Sequence, residues 1–86
     1  MELEQKIRNI LERSLPGVRL EIGRDKNTEL IGGDVIWEGF KGYQSLKRQN
    51  RVYRILRQNI NPADAQKNIS YLFTYTPEEY QEYIEG

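Results

Sequence analysis

The sequence predicts an α+β fold in the order helix, strand, strand, helix, short helix, strand, helix, and three observations carry that prediction. Apolar residues recur at helical spacing near the start and again after Ser45. Two runs, VRLEI and ISYLFTY, alternate with the period of a strand that buries one face. Pro-Gly, Asn-Pro and Thr-Pro pairs fall between the periodic segments, where helices stop and start.

In the first segment, residues 2 to 15, Leu3, Ile7, Ile10, Leu11 and Leu15 form one apolar stripe between charges, and Pro16-Gly17 ends it. Val18, Leu20 and Ile22 then alternate with Arg19 and Glu21 in the first strand. The polar run RDKNTE, residues 24 to 29, suits a hairpin, so Leu30 to Phe40 reads as an antiparallel partner strand. Gly32 and Gly33 interrupt it, which marks a bulge or a close backbone approach. A turn over Lys41 to Gln44 leads to Ser45, read as the cap of a helix that runs to about Gln58. Its apolar face is read as Leu46, Tyr53, Leu56 and Ile60. NPADAQ carries a cap and a proline for a short helix, ISYLFTY is the third strand, and Thr76-Pro77-Glu78-Glu79 opens a last helix with Tyr80, Tyr83 and Ile84 on its apolar side.

An 86-residue chain is read as one small domain over residues 1–86. A domain of that size buries only about 60–65% of the surface its unfolded form exposes. There is no cysteine, hence no disulfide and no thiolate, and no histidine, the commonest general base and metal ligand. No apolar run approaches the roughly 20 residues of a membrane span, and the acidic start is unlike a targeting peptide. The expectation is a soluble cytoplasmic protein that needs no membrane and no cofactor.

The formal net charge of zero hides an uneven distribution. From Gly39 to Ala63 there are six basic residues and no acidic one, whereas Thr76 to Gly86 holds four glutamates and no base. Lys47, Arg51 and Arg54 stand in one column of the central helix, flanked by Arg48 and Arg57, with Lys41 just upstream. Either the two ends neutralise each other or the helix faces an anionic partner.

With that order of elements, the chain resembles the BolA family over almost its whole length. Phe40, Gly42, Leu46, Arg48, Val52 and Tyr53 fall where that family has a phenylalanine-x-glycine turn and an arginine-histidine helix ending in a hydrophobic residue and tyrosine. The closing Thr74-Tyr75-Thr76-Pro77-Glu78-Glu79-Tyr80 is similar to its threonine-x-threonine-proline-glutamate-glutamate-tryptophan ending, and Leu15-Pro16-Gly17 to its opening. The resemblance implies a BolA-like, class II KH-like fold: a three-stranded mixed sheet with helices on one face. It also implies a regulatory DNA-binding role and a partnership with monothiol glutaredoxins around an iron–sulfur cluster. The chain departs at two positions, with Gln49 after the helix arginine and Asn68 at the opening of the third strand, where the family carries histidines. In the family the second histidine helps to hold the cluster, and asparagine lacks the imidazole nitrogen for it. Gly39-Phe40-Lys41-Gly42 spells the GxxG of KH domains, but it lies between a strand and a helix and is read as a turn.

With no histidine or thiol to activate Ser14, Ser45, Ser70 or the tyrosines, and with Glu78-Glu79 explained by helix capping, the chain is read as non-enzymatic. Two binding readings follow. In the first, Lys41, Lys47, Arg48, Arg51 and Arg54 dock on nucleic-acid phosphates as a regulatory module. In the second, the domain is a protein adaptor for a glutaredoxin-like partner, through Asn68, Tyr71, Phe73 and Tyr75. That second set depends on the third strand's phase. Alternation alone buries Ile69, Tyr71 and Phe73, whereas the family register buries Ser70, Leu72 and Thr74 and leaves the aromatics on the open side as a docking patch or a platform for bases.

Overall fold

The structure, a computed structural model, describes residues 2–86. Its elements follow the predicted order: α1 (Leu3–Ser14), β1 (Arg19–Arg24), β2 (Ile31–Ile36), a 3-10 turn (Glu38–Phe40), α2 (Ser45–Asn59), α3 (Pro62–Asn68), β3 (Ile69–Tyr75) and α4 (Pro77–Glu85). β1 and β2 form the antiparallel hairpin, and β3 adds to β2 in parallel, giving a mixed three-stranded sheet. The parallel pairing is possible because α2 and α3 supply the long crossover that returns the chain to the same end. Ile7, Ile10 and Leu11 of α1 and Val52 and Leu56 of α2 pack on Ile22, Ile31, Val35 and Leu72 of the sheet, so these two helices cover one face.

Local chemistry sets the boundaries. Thr76 and Glu79 form a complete capping box at the start of α4, and Asn61 caps α3 through the Ala63 N–H. β2 is shorter than the Leu30 to Phe40 run, because the chain leaves the sheet after Ile36 and turns through Glu38–Phe40. Gly42, with φ +86°, completes this turn in a conformation that favours glycine, as the turn reading of the GxxG stretch requires. Two expectations for α2 are corrected. Gln44 takes the cap position, without a side-chain bond, and Ser45 is the first helical residue. Leu46 is 68% exposed; of the expected face Leu56 and Ile60 are buried and Tyr53 packs beside them, and the buried stripe begins with Arg48 and Val52, four residues apart.

A bulge between β2 and β3 settles the phase of the third strand. Ile31 pairs with Ile69 but Gly33 pairs with Leu72, so β3 spends one extra residue at Ser70–Tyr71. That residue exchanges the faces of everything after it. Ile69 therefore packs against the core, as alternation from the strand's start expects, while Leu72 and Thr74 point inward beyond the bulge and Tyr71 and Phe73 outward, as the family register expects. Ser70 is exposed and takes neither role. The glycines make room for this: a Cβ on Gly32 would strike the Ser70 hydroxyl, and one on Gly33 the Glu21 carbonyl oxygen.

Candidate nucleic-acid interface

α2 turns Lys47, Arg51 and Arg54 outward, and all three are exposed. They line one groove of about 460 Å³ between the helix and the turn that precedes it, together with Gly39, Tyr43 and Asn50. Among the described residues no carboxylate lies within 4.0 Å of these three cations, so their field reaches solvent uncompensated. The Arg51 guanidinium lies over the Trp37 ring, 5.0 Å from its centroid. Trp37 is held in turn by its Nε1–H, which donates to the Pro16 carbonyl at 2.8 Å, and by an edge-on contact with buried Phe40. Gly39 is needed beside it, since a Cβ there would run into the indole. One wall of the groove is thus preset.

The structure corrects two members of the expected basic set. Arg48 does not face solvent: it is 8% exposed, and its guanidinium donates to both Glu79 carboxylate oxygens at 2.5 and 3.1 Å. Its Nε–H donates to the Tyr43 carbonyl at 2.6 Å. Four residues before Val52, it falls on the buried stripe, and its charge is spent on fastening α4 to the start of α2. Glu79 responds accordingly: the Arg48 guanidinium, and then the Thr76 N–H, hold its carboxyl below the usual carboxylate range. Lys41 is exposed but opens on a separate cleft with Glu38, Glu78 and Glu82, where acidic groups outnumber it. The column of three is therefore brought together; Arg48 lines the floor of the same groove but with its charge paired to Glu79, and Lys41 lies outside it. Arg57 continues the stripe one turn further, at the rim of an apolar groove lined by Tyr53, Pro62 and Ile69.

Sequence reasoning missed Tyr43, Asn50 and Trp37. For the first two a signal was present: Tyr43, Lys47, Asn50, Arg51 and Arg54 have the spacing of one helical face extended a turn upstream.

On the opposite side of the sheet, Tyr71 and Phe73 are 47% and 48% exposed, with ring centroids 4.6 Å apart. Gln49 reaches around the strand's edge to donate to the Tyr71 hydroxyl at 2.5 Å. Tyr75 does not join this pair. The rings of Tyr80 and Tyr83 on α4 lie against it, each 5.4 Å away, and burial, followed by the nearby Asp34 charge, pushes its hydroxyl pKa up. Asn68 is likewise engaged, its amide donating to the Asp64 carbonyl one turn back in α3 at 2.9 Å. The open-face patch thus reduces to Tyr71 and Phe73.

Asn68 also answers the question of a cluster. The position offers an amide tied to its own helix, not an imidazole, and among the described residues no three His, Cys, Asp or Glu side chains gather as metal ligands. The residues present do not fit an iron–sulfur group, and no step is routed through one. Nor is any helix among the described residues long and apolar enough to cross a membrane.

No family model matches the chain, and no curated protein does. Solved structures do. A BolA protein homologue from Coxiella burnetii matches with a TM-score of 0.64 at 26% identity, over 94% of this chain and 99% of its own. BolA1 from Arabidopsis thaliana matches with a TM-score of 0.68 at 24% identity, over 92% of this chain and 96% of its own.

Proposed function

We propose that this chain, which shares the fold of the BolA homologues, is a non-enzymatic BolA-family binding module whose α2 groove docks on the phosphate backbone of a nucleic acid, as a regulatory protein would. One observation carries the reading: Lys47, Arg51 and Arg54 stand exposed in a single groove with no carboxylate in reach among the described residues. Cations in such a row neutralise neighbouring phosphates and release their counterions, which makes affinity fall steeply with salt. The chain has no imidazole or thiol for acid–base or nucleophilic work, and the Glu79 carboxyl beside α2 is already bound to Arg48.

The test is a titration with single- and double-stranded oligonucleotides across salt concentrations. Three phosphate contacts give a slope of log affinity against log salt of about −2 to −3. Replacing Arg51 and Arg54 together by glutamate should abolish binding at low salt; binding that survives the double substitution rules the helix out.

A second reading, an adaptor for a monothiol glutaredoxin-like partner that works without its own cluster ligand, is favoured by the exposed Tyr71–Phe73 pair. It predicts capture of such a glutaredoxin by the intact chain and loss of capture with Phe73→Ala. Failure to recover the glutaredoxin in a pull-down counts against it.

A further inference from the structure

Resting on the nucleic-acid reading, we infer that the groove selects single strands, with Tyr43 as the surface on which one base stacks. The Tyr43 ring is 51% exposed and lines the same groove as the three cations. A large aromatic left open to water beside a row of cations has two ways to use that surface, and the phosphates of a closed duplex satisfy neither. Duplex bases present only their edges, their flat faces being occupied by neighbouring pairs. An unpaired strand offers both a base face to a ring and phosphates to the cations, at about 5- to 150-fold in affinity per good stack.

The backbone that carries the ring is held in place. The Tyr43 N–H donates to the Phe40 carbonyl at 3.1 Å, and its carbonyl accepts from the Arg48 Nε–H at 2.6 Å. The backbone on both sides of the ring is therefore fixed before any ligand arrives, which lowers the ordering cost of binding. Arg51 is fixed in the same way by its seat on Trp37. Between them Asn50 is exposed and makes no side-chain hydrogen bond within the described residues, so its amide is free to donate to and accept from a base edge. From Lys47 to Arg54 the cations extend roughly 10 Å along the helix, enough for successive phosphates of one strand. Tyr71 and Phe73 also offer rings, but they lie on the open face of the sheet, where the cation that lines their cleft, Arg24, is already paired with Glu2 and the Glu29 carbonyl.

The experiment compares the full chain with its Tyr43→Ala, Tyr43→Phe and Phe73→Ala variants, each titrated by fluorescence anisotropy with a short oligothymidylate and with a duplex of the same length. Tyr43→Ala should weaken single-strand binding about tenfold, leave the salt slope unchanged and leave duplex binding unchanged. Tyr43→Phe should recover most of the loss, since it keeps the ring. Equal losses on both ligands, no loss on either, or a loss that follows Phe73→Ala instead would overturn the inference while leaving phosphate docking in place. Absence of binding to every oligonucleotide at low salt would overturn the inference and the reading beneath it together.

Discussion

Replacing Arg48 by methionine removes three hydrogen bonds at once, one to the Tyr43 carbonyl and two to Glu79. Methionine keeps an apolar stem in the buried position but also gives up the guanidinium's place over the Phe40 ring, 5.9 Å from its centroid, a contribution of about 0.5–1 kcal/mol at most beside the polar contacts. A hydrogen bond to a charged group contributes about 1.5–3 kcal/mol. Full additivity overstates the case here, because the Glu79 side chain is 47% exposed and regains water once released, and it keeps the Thr76 N–H. The Tyr43 carbonyl is left the poorer. The net expectation is a loss of about 2 kcal/mol, or about 8–16 °C in melting temperature for a chain of this size. In urea the midpoint should fall with the slope unchanged. The pH dependence follows from the direction of the Glu79 shift. Its folded carboxyl lies below the ordinary 4.5, so the unfolded chain binds the proton more readily and stability rises with pH through that window. The ion-pair contribution is complete above about 4.5 and fades as pH drops toward the lowered folded value, so the wild type and Arg48→Met should converge on acidification. A variant within about 0.5 kcal/mol of wild type at neutral pH, or a gap that stays constant down the acid limb, would refute the reasoning.

Two further substitutions test the sheet. Leu72→Ala should cost about 2–5 kcal/mol, because Leu72 is fully buried, whereas Phe73→Ala next to it should cost under about 1 kcal/mol, since the ring is half in water; comparable losses in urea melts would place the bulge elsewhere. Gly33→Ala puts a methyl group against the Glu21 carbonyl at φ +137°, and should destabilise by at least about 2 kcal/mol, with a thermal melt unchanged from wild type as the contrary result.

What the sequence made legible was local. The cap and proline at Thr76-Pro77, the stop at Pro16-Gly17 and the cap at Asn61 act within a few residues, and each fell where the helices begin or end. The family resemblance supplied the mixed sheet, which the periodicities alone left open. What stayed hidden was set at long range. A bulge at Ser70–Tyr71 is produced by the fit of β3 beside Gly32, so a strand read by itself shows one phase when it has two. Arg48 looked like any other cation of a basic helix, because its partner Glu79 lies 31 residues away and no charge run reveals which member of a column turns inward. Leu46 was misplaced for the converse reason: an apolar residue in a first helical turn has spacing but no neighbour to cover it.

Glu79 resolves the uneven charge of the chain in an unexpected way. The acidic tail does not neutralise the basic helix, since among the described residues one ion pair joins α4 to α2 and the outward cations remain open. That pair instead transmits position. Glu79 accepts from the Thr76 N–H to close the capping box, and holds the guanidinium that in turn holds the Tyr43 carbonyl. A continuous run of hydrogen bonds thus leads from the start of α4 to the rim of the groove. The carboxylate that makes the last helix begin where it does also holds, through Arg48, the backbone of Tyr43, so α4 supports one rim of the groove.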